Sequence, residues 1–463
     1  MQRSRAILVY GASLAASICI FLFIRYLGHS LVAVEQLPQS GVRAIPSETS
    51  SVWIRVLVAL IVVLGVARAV GAIFRLLNQP QVMGEVVAGI LLGPSFFGWL
   101  APEVASQVIS VSVAPYLAVI SQVGVVLYMF LVGLELDTDL LRQRTQSSIA
   151  ISHASIVAPF LLGATLALWL YPRYATLNAS FTVFALFLGV AMSVTAFPVL
   201  ARILTDRGMQ KSPTGVLALA SAAVDDVTAW CLLAFVVGVA HSEAGNLLLT
   251  LAMTVGFILF VLLVARRGAL WLVRKRAEKG RATHDMFAIV CAALLLAALA
   301  TERIGIHGLF GAFLMGTLIP HDSALAADIR DKCEDLVVVL LLPVFFAFTG
   351  MRTQIGLLNG TRYWLACGLI VIVASLGKFG GSSLAARLTG SDWREAAAIG
   401  VLLNTRGLME LIVLNVGLDL GVLSPALFTM FVIMAIVTTL ATAPILRVLT
   451  PSVPRTAREL VSR

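Results

Sequence analysis

Charge is what this sequence has least of. Only 12% of its 463 residues are Asp, Glu, Lys or Arg, and 59% are hydrophobic, against roughly 25% and 45–50% in soluble globular domains. A water-soluble fold with so few charges would expose large apolar patches and aggregate, so a soluble domain is excluded. Cysteine is nearly as scarce. Cys19, Cys231, Cys291, Cys333 and Cys367 are scattered singly, with no C-x-x-C pair and no Cys/His cluster at metal-ligand spacing. Neither a disulfide framework nor a zinc site is expected, and no cofactor is implied. Nucleic-acid motifs are missing too. The net charge of +9 then reads as Lys and Arg held in loops on one side of a membrane.

The apolar residues fall in blocks of about 18–25, the length that crosses a hydrocarbon core about 30 Å thick. They predict thirteen spans at about 52–77, 80–100, 115–135, 147–170, 181–204, 213–240, 246–264, 284–303, 307–320, 335–351, 362–388, 394–419 and 424–449. Ahead of them, a basic start at Met1–Arg5 and the apolar run Ala6–Ile24 fit a membrane anchor better than a signal peptide, because no small-x-small cleavage site follows. Alternate loops carry very different numbers of Lys and Arg, 23 in one set and seven in the other, with Arg68, Lys378 and Arg406 inside spans. The richer set is cytoplasmic. Only a short tail follows Leu449, so no attached nucleotide-binding module is expected.

An internal repeat is visible at an offset of roughly 220 residues. Val87–Pro94 (VAGILLGP) aligns with Phe310–Gly316 (FGAFLMG), and Phe130–Leu136 (FLVGLEL) aligns in position with Ala347–Thr353 (AFTGMRT). An odd number of spans between equivalent positions makes the halves antiparallel, the inverted repeat of secondary transporters. The expected fold is therefore an all-α polytopic membrane protein of two inverted six-span repeats joined by a linker span. The expected division is 1–51 for the N-terminal anchor or signal segment and polar linker, 52–240 for the first repeat, and 241–283 for the linker span with a basic cytoplasmic loop. The second repeat takes 284–449, and 450–463 form a short cytoplasmic tail.

Ionisable residues within a bilayer cost at least about 2.5–3.5 kcal/mol each and are read as functional by default. The sharpest case is Asp225-Asp226 in the sixth span. Adjacent helical residues point about 100° apart, so these carboxylates should have different partners. A helix kink or a purely structural ion pair is the competing reading. Lys378, too deep in the eleventh span to snorkel, needs an anion, and Asp225 or Asp226 lies at comparable depth. Two spans are expected to break. Ser193-Val194-Thr195-Ala196-Phe197-Pro198 interrupts the fifth, and Asn404-Thr405-Arg406-Gly407-Leu408-Met409-Glu410 interrupts the twelfth. Such breaks free carbonyls and helix ends for an ion. Arg406 and Glu410, four apart, also read as a simple pair on one helix face. Glu85, Glu135, Asp137 and Asp139 read as end-of-span charges, and His307 as a cap or a proton relay.

These motifs resemble the monovalent cation/proton antiporter family, which includes potassium-efflux-type and sodium/proton exchangers. The resemblance runs from about Gln79 to Arg447 and is carried by Gly84–Pro94, Phe130–Asp137, Ser193–Pro198, Val224-Asp225-Asp226, Ile306–Phe313 and Asn404–Leu411. It implies a homodimer with a dimerisation domain and a mobile core, crossing broken helices in the fifth and twelfth spans, and exchange of Na+ or K+ for protons. By the same resemblance Asp226 is the carboxylate that carries the transported cation, Asp225 occupies a variable position, and Lys378 bridges to it. Ser193 and Thr195 are expected to complete the cation's oxygen shell. The expected location is a cell membrane, that of a bacterial inner membrane. A cation-coupled symporter or channel is the alternative within transport. A membrane enzyme or sensor using paired carboxylates lacks any accompanying nucleophile or metal cluster.

Overall fold

A computed structural model describes residues 2–28, 49–109, 112–135, 146–177, 179–207, 209, 212–241, 247–279 and 283–449. Asp137, Asp139, the 29–48 linker and the 450–463 tail lie outside the described residues. Within a bilayer each backbone N–H and C=O must be satisfied inside its own segment, so the apolar runs become helices. Among the described residues there is no strand beyond the isolated bridge Ala175–Leu423.

The helices are α1 (Gln2–Gly28), α2 (Thr49–Leu76), α3 (Gln81–Leu92), α4 (Ala114–Glu135), α5 (Gln146–Tyr174), α6 (Phe181–Ser193), α7 (Phe197–Asp206) and α8 (Pro213–His241). Next come α9 (247–279), α10 (His284–Ile304), α11 (Gly308–Thr317), α12 (324–351) and α13 (361–388), of which α9, α12 and α13 each contain a π turn. The chain ends in α14 (Trp393–Leu403), α15 (Leu408–Asp419) and α16 (Pro425–Leu449). Among the described residues, ten stretches are long and apolar enough to cross a membrane, and the pair α14–α15, bent by 44°, makes an eleventh. Phe181–Ser193 and Gly308–Thr317 are shorter apolar helices.

Two local expectations need correction, and a third is met. Residues 266–279, expected as a basic cytoplasmic loop, continue α9 as helix through a π turn at Val261–Ala265. The α12 helix starts at Ala324, capped by the Ser323 hydroxyl, well before the expected 335. The fifth span breaks at 194–196, inside the expected Ser193–Pro198 stretch and just upstream of Pro198. Proline thus occupies the first turn of α7, where its missing N–H has no intrahelical partner to lose.

Two packing groups follow from the buried clusters. Val52, Val56, Leu92, Leu117, Val344 and Met351 join α2, α3, α4 and α12. Ile151, Leu200, Ala222, Ala386, Ile399 and Leu446 join α5, α7, α8, α13, α14 and α16. A third, larger cluster runs across both groups. Helix α1 lies against α5 and α6, with Phe21 and Phe160 rings 5.9 Å apart. The internal repeat is visible in the closest helix contacts. A Cβ on Gly89 of α3 would stand 2.2 Å from Ala347 O of α12, and one on Gly316 of α11 would stand 2.2 Å from Phe130 O of α4. Exchanging the two halves maps α3 on α12 to α11 on α4. Small residues at both places let the backbones touch.

Candidate ion-binding site

The site grows from two broken helices that meet at their breaks. Helix α6 ends at Ser193, the chain runs extended through 194–196, and Ala196 N donates to Thr405 O of the α14–α15 break at 2.9 Å. Thr439 of α16 holds the second break from the side. Its Oγ1 accepts from Arg406 N at 3.0 Å and donates to Arg406 O at 2.6 Å. The last carbonyls of α6 have no helical partner and carry the negative end of its dipole. Two buried cations answer them. Arg406 donates to Ala191 O at 2.9 Å and Met192 O at 2.7 Å, and Lys378 Nζ donates to Ser193 O at 2.5 Å.

Lys378 projects from the π turn Leu376–Gly380 of α13, a local widening that often marks functional positions. Its Nζ also lies 3.0 Å from Ser155 O and 3.2 Å from Asp225 Oδ2. Asp225, on α8, is fully buried and saturated with donors. Ser152 Oγ donates to Oδ1 at 2.7 Å, while Ser155 Oγ and Thr195 Oγ1 donate to Oδ2 at 2.7 and 2.8 Å. The neighbouring Asp226 is just as deep, 3% exposed, yet its Oδ1 is buried with no donor among the described residues. Two adjacent carboxylates therefore occupy opposite electrostatic situations. One is neutralised by a lysine and three hydroxyls, and the other has a buried oxygen that asks for a proton or a cation.

The structure brings Asp225, Lys378 and Thr195 together as one network. Ser193 differs from expectation. Its hydroxyl is engaged by Ile156 O at 3.0 Å and Gly189 O at 2.6 Å, so it faces the network only through its carbonyl. Arg406 and Glu410 pair at 2.8 Å, both fully buried. The pair is not confined to one helix face, since Arg406 reaches across to α6. Glu410 Oε1, Asn404 Oδ1 and Thr405 Oγ1 are buried beside it without partners among the described residues. The other candidates stand apart: Glu85 accepts from Gln81 at 2.9 Å, Glu135 lies 3.5 Å from Arg330, and His307 caps α11 by accepting from Leu309 N. Ser152 and Ser155 were missed in the sequence. Their one signal was a polar stripe, Ser148, Ser152 and Ser155, at helical spacings of four and three along α5.

Comparison with known proteins gives this geometry a context. The family model described as sodium/hydrogen exchanger, transmembrane, matches residues 56–448. The Na+/H+ antiporter NhaS4 of Synechocystis is 43% identical over 392 residues, covering 84% of this chain and 96% of that protein. The K+/H+ antiporter 1 of Saccharomyces cerevisiae is 32% identical over 421 residues, or 89% of this chain and 48% of the yeast protein, so the chain spans about half of that longer relative. The solved structure of the sodium proton antiporter MjNhaP1 from Methanocaldococcus jannaschii superposes with a TM-score of 0.60 at 15% identity, covering 85% of this chain and 96% of that one, which speaks to the fold alone. The crossing of two broken helices, the buried acid pair and a family match over most of the sequence agree: this chain belongs to the sodium/hydrogen exchanger family.

Proposed function

We propose that the chain is a secondary transporter of the cell membrane that exchanges a monovalent cation, Na+ or K+, for protons by alternating access at Asp225 and Asp226. The observation that carries this reading is the contrast between the two acids. An exchanger needs a group that holds either a proton or a cation, and is reachable from one side at a time. Asp226 has that chemistry, because its buried Oδ1 has no donor among the described residues. A proton neutralises it in one half of the cycle and a metal cation in the other, so the two cargoes compete for one carboxylate. Asp225 acts beside it with Lys378 as a second, coupled pair. Thr195 Oγ1, Ser152 Oγ, Ser155 Oγ and the Ser193 carbonyl supply further oxygens of the kind that Na+ and K+ accept. Arg406 and Glu410 hold the crossing in place. A homodimer is part of the same proposal, as in the family resemblance. The choice between Na+ and K+ is open, since the relatives named above include a Na+/H+ and a K+/H+ antiporter.

The test is dissipation of an imposed pH gradient in proteoliposomes by Na+, K+ or Li+ added separately. At least one cation should collapse the gradient, and Asp226→Asn should abolish the response while the protein still inserts and purifies. Wild-type exchange by the Asn variant would remove Asp226 from the carrier role.

A further inference from the structure

A second polar network sits away from the crossing, at the ends of α12 and α15. Arg352, just beyond α12, donates from Nη1 to Asn415 Oδ1 at 2.9 Å and from Nη2 to Asp419 Oδ1 at 2.5 Å. Asn415 Nδ2 donates to Thr349 Oγ1 at 2.8 Å, and Gln354 N donates to Thr429 Oγ1 at 3.1 Å. Thr349, Arg352 and Gln354 belong to the group built on α2, α3, α4 and α12. Asn415 and Asp419 lie on α15 and Thr429 on α16, on the crossing side. All four bonds therefore span the seam between the packing groups, at the face that the distribution of Lys and Arg assigns to the outside.

The same seam is closed again nearer the site. Trp230 of α8, one helical turn beyond Asp226, stacks on Phe313 of α11 with ring centroids 6.3 Å apart and planes 25° from parallel. Both rings are buried. At the opposite face the groups are joined by the longer bond from Gln79 Nε2 to Leu440 O, 3.4 Å.

We propose that Arg352 is an external latch, a positioning residue that keeps the Asp226 site closed to the outside in this conformation. The inference rests on the alternating-access reading. For Asp226 to become reachable from outside, the Trp230–Phe313 stack must part and the rim bonds of Arg352 must be released. A guanidinium that bonds a buried amide and a carboxylate together sets the ease of that release better than a single contact does. Asp419 is half exposed, so solvent screens part of the attraction and the effect is moderate. Loss of the latch raises the outward-open population roughly three- to tenfold.

The experiment uses the full chain with its native cysteines replaced by serine and a reporter cysteine at Leu233, buried on the same α8 face as Trp230. A membrane-impermeant maleimide is added to intact cells and, separately, to inside-out vesicles. Arg352→Gln and Asp419→Asn should each raise labelling from outside roughly three- to tenfold and leave labelling from inside unchanged or lower. The exchanged pair Arg352→Asp with Asp419→Arg should return labelling at least halfway to the starting rate. Unchanged outside labelling, or an equal rise from both sides, would overturn the latch. An equal rise together with a lower melting temperature in detergent would mark a merely structural contact. Labelling needs neither cation nor pH gradient, so a protein that labels as expected but fails to exchange cations refutes the cargo and leaves the latch standing.

Discussion

Replacing Arg406 with leucine gives a demanding test of how the crossing is held. Three acceptors depend on this side chain: Ala191 O, Met192 O and Glu410 Oε2, all within 2.9 Å. All are buried away from water. Arg406→Leu leaves the Glu410 carboxylate without its partner and two end-of-helix carbonyls without donors. Removing one member of a buried ion pair costs about 3–5 kcal/mol, and each orphaned carbonyl adds about 1–3 kcal/mol. Glu410→Leu is milder, because the remaining guanidinium keeps both α6 carbonyls. The double variant Arg406→Leu/Glu410→Leu removes both charges and leaves only the carbonyls to be resatisfied. Arg406→Leu is therefore expected to be more destabilising than either Glu410→Leu or the double variant. Thermal denaturation of purified protein, followed by loss of the monodisperse peak on size exclusion, reads this order directly. The reasoning fails if Glu410→Leu is as damaging as Arg406→Leu, or if the double variant melts below the Arg406→Leu single variant.

Competition at Asp226 predicts the sign of the pH dependence. In the range where protons occupy the site, the apparent affinity for the cation should weaken by about tenfold for each unit of falling pH if one proton competes, and up to about a hundredfold if two do; cation titrations of exchange at several pH values check it, and an affinity independent of pH would refute a shared site. Lys378 bears on voltage. If it gives up a proton as the cation arrives, two protons move per cation, and Na+ exchange in proteoliposomes should respond to a valinomycin-clamped potential. Lys378→Gln combined with Asp225→Asn should lose that response, and an unmodified protein already indifferent to voltage would make Lys378 a structural counter-ion. Ser155 is bonded to the Asp225 oxygen that also faces Lys378, whereas Ser152 bonds the other oxygen. Ser155→Ala should therefore change the voltage or pH profile of exchange more than Ser152→Ala, and equal profiles would argue against a role specific to the Lys378 side.

Much of the architecture was legible because the bilayer leaves few choices. A long apolar run has to become a helix, and a charge inside it has to find a partner, so most of the spans and the need of Asp225, Lys378 and Arg406 for buried partners could be read from residue type and position alone. The alignment of Val87–Pro94 with Phe310–Gly316 also pointed to a real symmetry, since those segments lie in matching helix contacts. What the sequence could not give was partner choice. Serines are common in membrane helices, and the stripe Ser148, Ser152 and Ser155 does not itself say that Ser152 and Ser155 hold Asp225 while the Ser193 hydroxyl bonds α5 and α6 backbone carbonyls. The 100° angle between Asp225 and Asp226 predicts unlike surroundings but not which acid receives the donors. That depends on α5 packing against both α8 and α13, which brings Lys378 to the Asp225 side. The continuation of α9 past Ala265 was hidden because Lys and Arg are good helix formers whose charge suggests a loop.

The convergence of two cations on the end of α6 has a consequence for how cargo could displace Lys378. A helix broken in mid-membrane presents carbonyls and a partial negative charge that lipid cannot solvate. Arg406 answers two of these carbonyls and is itself tied to Glu410 and to both backbone groups shared with Thr439, so moving it would unmake the crossing. Lys378 is tied differently. Its ammonium rests on Ser155 O, Ser193 O and Asp225 Oδ2, three oxygens with no covalent or helical demand for a lysine in particular. A dehydrated monovalent cation needs the same kind of oxygen surroundings, so on the proposed mechanism a cation drawn in by Asp226 would compete with the ammonium for that nest. On that mechanism the neighbouring arginine would keep the broken helix intact while the lysine yields. One fixed and one displaceable cation at the same helix end would thus separate the job of holding the fold from the job of exchanging charge, as the proposed exchange requires.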